Sequence, residues 1–261
     1  MTSGPGAGGM QRTVRKLGCP LATRLWNIEL TGYERLPIEG PAILCPNHIS
    51  FLDSAFLMLT VQRNISFVGK AEYMDSWKTR YLFPAMGMIP IDRSGGDKST
   101  AALDAAEAVL QRGELFGIFP EGTRSRTGTL YKGRTGAARL AMKIGCPIFP
   151  VGVIGTDKIQ PPDAKAPKLF TSCEIKIGRP IKPERYMNRG AEHIAWRSMI
   201  DEVMYEIREL TGQTYVNTYA GETAEAEPTV AARVASVTDA ATRFEHSDRS
   251  QQREYAAVAG R

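Results

Sequence analysis

Between residues 27 and 210, short apolar runs alternate with longer stretches whose apolar residues recur at helical spacing. This alternation constrains the fold more than any other feature. The runs lie at 27–31, 42–46, 65–69, 88–92, 115–119, 148–154 and 173–178, and each is of strand length. The stretches between them predict helices at about 53–62, 74–83, 97–112, 135–144 and 190–210. Asp97 or Ser99 can cap the third of these, and Gly113 can stop it. The last carries Ile194, Ile200, Val203, Met204, Ile207 and Leu210 on roughly one face. Strands that alternate with helices form a largely parallel sheet covered on both faces. The expectation is an α/β fold: a single domain with a largely parallel or mixed seven-stranded sheet covered by helices. At 261 residues the chain holds one such domain with appendages, expected as 1–26, a domain at 27–212 and a tail at 213–261.

Two polar stretches follow apolar runs directly. The first is Asn47-His48-Ile49-Ser50-Phe51-Leu52-Asp53, after Ala42-Ile43-Leu44-Cys45. It holds one of only three histidines in the chain. Near neutral pH an imidazole is the best general base a protein has. A carboxylate on its other ring nitrogen fixes the tautomer and stabilises the imidazolium. A strand ending at Asn47 and a helix starting near Asp53 would bring the two side chains together. The competing reading is a structural histidine with a chance aspartate nearby. The second stretch is Phe119-Pro120-Glu121-Gly122-Thr123-Arg124-Ser125-Arg126. Gly122 permits close backbone approach to a ligand. Thr123 and Ser125 offer hydroxyls, and Arg124 and Arg126 offer forked cations that fit phosphate. The plain alternative is a polar strand-to-helix turn with surface arginines.

Together these stretches resemble the glycerolipid acyltransferase family, the lysophosphatidic acid acyltransferases in particular. Asn47, His48 and Asp53 match the family's N-H-x-x-x-x-D block, and Phe119 to Ser125 match F-P-E-G-T-R-S at every position. Gly87-Met88-Ile89-Pro90-Ile91-Asp92-Arg93 and Cys146-Pro147-Ile148-Phe149-Pro150-Val151-Gly152-Val153 are similar to its second and fourth blocks. The order and rough spacing agree over about residues 28–182.

The resemblance implies transfer of a fatty acyl group from acyl-CoA or acyl carrier protein to lysophosphatidic acid, giving phosphatidic acid. It implies His48 as base and Asp53 as its orienting partner. Arg124 is the first choice for the acceptor's phosphate, with Lys70 and Arg93 second and Lys132 weaker. Gly122 and Thr123 are further substrate-binding candidates. Glu121 repels phosphate, so it either orients Arg124 or backbone groups or meets a glycerol hydroxyl. Oxyanion donors are expected among backbone N–H groups near Gly122 or at the start of the helix after His48. The donor's thiolate is a good leaving group, so no acyl-enzyme and no cofactor is needed, and no G-x-S-x-G elbow is present. Cys45, in its apolar run, reads as packing. Alternatives with the same chemistry take glycerol 3-phosphate, a lysophospholipid or a glycolipid. A non-catalytic basic lipid-binding module is the alternative of another class, and it has no need for both His48 and Asp53.

Charge and composition narrow the partners. Residues 219–261 carry five arginines against seven carboxylates, a net −2, so the overall +5 leaves +7 on residues 1–218. A basic body suits an anionic partner, whether membrane surface, phosphate substrate or nucleic acid, and with the resemblance to an acyltransferase no nucleic-acid partner is expected. Arg93-Ser94-Gly95-Gly96-Asp97-Lys98-Ser99-Thr100 lacks the glycines of a phosphate loop, which removes nucleotide hydrolysis. Cys19, Cys45, Cys146 and Cys173 are scattered, against a zinc site or a disulfide framework and for a reducing compartment. No window reaches about 18 uninterrupted apolar residues, so no spanning helix is expected. Residues 10–26 hold four cations and no acid, with Val14, Leu17, Leu21 and Leu25 at helical spacing. That pattern suits a helix in a membrane interface with Trp26 near the headgroups, or a helix packed on the domain, with Gly18 and Pro20 expected to break or kink it. Peripheral or monotopic attachment at the cytoplasmic face of the cell membrane is expected. Residues 213–261 contain eleven Ala and no Leu, Ile or Trp, and read as a solvated tail.

Overall fold

A computed structural model describes residues 8–70, 87–91, 98–164, 166–187 and 191–221. Its strands are β1 (Ile28–Thr31), β2 (Ala42–Pro46), β3 (Ile65–Lys70), β4 (Met88–Ile91), β5 (Leu115–Gly117), β6 (Leu130–Tyr131), β7 (Ile148–Ile154), β8 (Cys173–Ile177) and β9 (Tyr215–Val216). Its α-helices are α1 (Gly8–Leu25), α2 (Leu52–Thr60), α3 (Lys98–Gln111), α4 (Gly136–Ile144), α5 (Thr156–Ile159) and α6 (Glu192–Thr211).

Seven strands form one sheet in the order β1-β8-β7-β2-β5-β3-β4. Strands β7, β2, β5, β3 and β4 run parallel, β8 runs antiparallel to β7, and β1 is parallel to β8. The sheet is therefore mixed. Period-two alternation along β2 divides the core: Ile43 and Cys45 join Phe116, Leu140, Ile148, Ile200 and Val203 under α3, α4 and α6. Ala42 and Leu44 join Phe56, Leu57, Phe67, Phe149 and Val151 on the face that α2 covers. Covering both faces explains why the strands read as continuous apolar runs.

The expected strands and helices recur within a few residues, with three differences among the described residues. Helix α1 runs unbroken through Pro20. It is held on the domain by side chains rather than by its own regularity. The Gln11 side chain donates to Ile65 O at 2.9 Å and accepts from Ile65 N at 3.2 Å. Arg15 donates to the carbonyls of Met58, Gln62 and Arg63. The second difference is α5, a single turn after Gly155 at φ 85°, too short to leave a periodic signal. The third corrects the tail boundary at 213. Val216 and its neighbours pair with β6, with Leu130 N donating to Thr214 O and Lys132 N to Thr218 O. A two-residue strand needs almost no apolar content, which is why composition concealed it. The expected helix at 74–83, Arg93, the phosphate-loop-like run up to Asp97 and residues 222–261 lie outside the described residues.

Candidate active site

Parallel strands place their C-terminal ends on one edge, and ligands of open α/β sheets bind there. The turn after β2 delivers Asn47 and His48 to that edge, and the turn after β5 delivers Phe119 to Ser125 beside them. Asn47 is buried, and its amide ties β2 to β7. Its Nδ2 donates to Val153 O at 2.9 Å, and its Oδ1 accepts from Val153 N at 2.7 Å. A side-chain amide offers a separate donor and acceptor atom, one for each backbone group of Val153.

The chain then turns tightly around Asp53, which is fully buried at the start of α2. Oδ2 of Asp53 accepts from Ile49 N and Ser50 N, both at 2.8 Å, and lies 2.9 Å from Nδ1 of His48. Oδ1 accepts from Thr156 Oγ1 at 2.5 Å. The acceptor-only carboxylate assigns the imidazole proton to Nδ1 and leaves Nε2 as the basic nitrogen. Nε2 has no hydrogen-bond partner among the described residues. The ring stacks on Phe119 at 3.8 Å between centroids. A ring held on one face and one nitrogen, with the other nitrogen open, is preorganised to take a proton.

The second loop is stitched to the first. Glu121, buried, accepts from His48 N through Oε1 and from Tyr131 N through Oε2, each at 3.0 Å. Ser125 N donates to His48 O at 2.7 Å. Glu121 therefore holds backbone, and it forms no ion pair with Arg124 among the described residues. Burial pushes its carboxyl up to about 7, against the pull of the two N–H donors. Gly122 takes φ 78°, a left-handed turn that glycine enters without strain. Arg124 is half-buried and has no ion-pair or hydrogen-bond partner among the described residues. Ser125 Oγ is buried beside it, also unpartnered there. A guanidinium can pair with an anion in a forked geometry, and a hydroxyl can donate to one. Thr123 is exposed at the same turn. Arg126, by contrast, pairs with Asp163 at 2.8 Å.

Lys70 is the last residue of β3, next to β5 in the sheet, and so its backbone lies at the same edge. Lys132 lies over the Tyr219 ring at 5.4 Å rather than against the His48 loop. Burial drives the Cys45 thiol far above the range in which a thiolate forms, so it is no nucleophile. Three of the backbone amides in the two regions expected to supply oxyanion donors are already engaged. The amides of Ile49 and Ser50 are engaged by Asp53, and Gly122 N bonds Phe119 O at 3.1 Å. Thr156 and Gln213 were not legible as site residues. Gln213 Oε1 accepts from Asn47 Nδ2 at 2.9 Å, and its own Nε2 donates to Gly128 O. A polar residue just past the end of a central parallel strand was the one available signal for Thr156.

The family model described as "Acyltransferase" matches residues 27–154. The 1-acyl-sn-glycerol-3-phosphate acyltransferase LPAT1, chloroplastic, of Arabidopsis thaliana is 29% identical over 157 residues, 60% of this chain and 44% of its own length. The 1-acyl-sn-glycerol-3-phosphate acyltransferase of Borreliella burgdorferi is 30% identical over 130 residues, 50% of this chain and 52% of its own. The chain thus spans about half the length of the curated relatives it matches. The crystal structure of the 1-acyl-sn-glycerophosphate acyltransferase PlsC from Thermotoga maritima superposes with a TM-score of 0.61 at 25% identity, over 77% of this chain and 79% of that one.

Proposed function

We propose, from the premise that residues 27–154 belong to the acyltransferase family, that this chain acylates lysophosphatidic acid to phosphatidic acid. The acyl donor is a thioester of coenzyme A or of acyl carrier protein. The observation that carries this reading is the His48–Asp53 pair, with Nδ1 held at 2.9 Å and Nε2 open, on a loop hydrogen-bonded to the one that bears Arg124. Nε2 of His48 takes the proton of the acceptor hydroxyl as its oxygen attacks the thioester carbonyl. Asp53 holds the imidazolium that forms. The tetrahedral oxyanion collapses, the carbon–sulfur bond breaks, and the thiolate takes up the proton. Arg124 meets the acceptor's phosphate, and Ser125 Oγ supplies a further donor to it. Lys70 and Arg93 serve as further cations toward phosphate.

The enzyme works at the cytoplasmic face of a membrane, on a bilayer-held acceptor. Attachment is peripheral or monotopic, with the apolar side of α1 against the lipid; among the described residues no helix is long and apolar enough to cross a membrane. Supporting this, Met10, Leu17 and Leu21 of α1 are exposed on one side of the helix, while Gln11, Arg15 and Ala22 face the domain. The test is turnover with lysophosphatidic acid and a series of acyl-CoA and acyl carrier protein donors, with phosphatidic acid read by mass spectrometry. Glycerol 3-phosphate, lysophospholipids and a glycolipid run as competing acceptors. Phosphatidic acid formed fastest from lysophosphatidic acid supports the reading, and preference for another acceptor overturns it.

A further inference from the structure

Phe170 is the one non-glycine residue with positive φ among the described residues, at 58°, and its side chain is 82% exposed. A bulky residue in the left-handed region is strained and persists only where its surroundings enforce it. Here they do. Phe170 N donates to Leu25 O at 2.8 Å, Trp26 Nε1 donates to Lys168 O at 2.8 Å, and Lys168 N donates to Ile159 O at 2.7 Å. The loop 167–171 is thereby clamped to the C-terminal end of α1. The clamp turns outward two adjacent large apolar side chains, Leu169, 51% exposed, and Phe170. Folding by itself gives no reason to hold a phenylalanine in solvent at a strained dihedral.

The sheet shows where this loop lies. Cys173 pairs with Ile28, and Glu174 pairs with Ile154 at the C-terminal end of β7. Residues 167–172 thus sit at the same edge as the His48 turn. Ser50 Oγ donates to Gln160 O at 3.2 Å, which joins the loop's preceding segment directly to that turn. Hydrogen bonds thus join the His48 turn, the loop of Leu169 and Phe170 and the C-terminal end of α1, the helix that exposes Leu17 and Leu21. Exposed Lys16, Arg24 and Lys168 lie on this helix and loop, and α1 contains no acid.

We infer that Leu169 and Phe170 form a second membrane wedge, inserted into an anionic phospholipid bilayer beside the mouth of the active site. The inference rests on the membrane-facing reading of α1 and adds to it a fixed angle. Two apolar points on different elements, clamped together, orient the His48 edge toward the lipid surface, where α1 alone would leave the domain free to roll. Lysine and arginine heads at headgroup level and apolar side chains below match an anionic interface. A protein partner would need matching acidic groups and has no such reason to sit across both the loop and the helix.

The test is cosedimentation of the full chain with vesicles of phosphatidylcholine containing phosphatidylglycerol. The variants are Leu169→Asn with Phe170→Asn, since asparagine tolerates the left-handed region, and the control Ile38→Asn. Ile38 is 91% exposed but precedes β2, at the opposite end of the strands from His48. The double variant should lose about tenfold or more in partition coefficient, the control should not change, and both should melt like the wild type. Turnover on a short-chain acceptor in free solution should be unchanged in the double variant, while turnover on vesicle-held acceptor falls. Absent turnover in the wild type overturns the catalytic reading alone. Vesicle binding equal in wild type and double variant, an equal loss in Ile38→Asn, or no vesicle binding by the wild type overturns the wedge.

Discussion

Thr156→Val removes one hydroxyl and almost no volume, and it probes how Asp53 is held. The carboxylate is fully buried, with three donors on Oδ2 and Thr156 Oγ1 alone on Oδ1 at 2.5 Å. The valine leaves Oδ1 buried with no partner among the described residues. A hydrogen bond to a charged group contributes about 1.5–3 kcal/mol, and stranding a buried charged acceptor costs at least as much. At about 2–4 °C per kcal/mol for a domain of this size, melting should fall by roughly 3–12 °C. Asp53 also loses the contact that fixes the rotation of its carboxylate, and with it the aim of the His48 ring. About a tenfold loss in kcat/KM is expected from that loosening. Thr156→Ser keeps the hydroxyl and should recover most of both. Differential scanning calorimetry and steady-state kinetics on the three proteins measure the effect. A valine variant that melts with the wild type and keeps its kcat/KM would show that Thr156 does not hold Asp53.

Glu121→Gln should change the pH dependence of stability. Burial raises the carboxyl from 4.5 to about 7, so the folded chain binds this proton more tightly than the unfolded one. Its contribution is complete below about pH 4.5 and is lost as pH rises through about 7, so urea midpoints of the wild type should decline against the glutamine variant across that window. A difference that stays flat with pH would contradict the assignment. Arg124→Ala should reduce kcat/KM for the acceptor about 10–150-fold, the equivalent of roughly 1.5–3 kcal/mol, when each substrate is varied in turn. An effect confined to the donor's KM would move Arg124 to the donor site.

Much of the fold was legible because strands buried on both faces have no polar side to disguise them. Ala42 to Cys45 and Ile148 to Val153 read as strands for the same reason that Ile43 and Leu44 enter opposite cores. His48 and Asp53 were legible because their contact is local, closed by a turn within a single loop. Thr156 and Gln213 were not, because their contacts with Asp53 and Asn47 span 103 and 166 residues and exist only once β7 lies beside β2. No spacing in the sequence encodes that neighbourhood. Glu121 was legible as a residue, and holding backbone groups was among the roles expected for it, but which groups it holds was not legible. Its two partners are backbone amides, one of them of His48, 73 positions away, and a backbone donor leaves no mark on composition. Pro20 misled for a physical reason. Its intrinsic cost to a helix is real, but Gln11 and Arg15 anchor α1 through tertiary hydrogen bonds that propensity does not count.

In the proposed mechanism Nε2 of His48, aimed by Asp53, takes the proton of the acceptor hydroxyl. This step is tested most directly by single-turnover acyl transfer from labelled acyl-CoA to lysophosphatidic acid, comparing the wild type with His48→Ala and Asp53→Asn. The account predicts that His48→Ala retains folding and acceptor binding while transfer slows about 10²–10⁴-fold, and that Asp53→Asn is also severely slowed because an amide presents the wrong partner to Nδ1. A His48→Ala protein that transfers acyl groups at more than about a tenth of the wild-type rate would show that the proton leaves by another route, and would contradict the account.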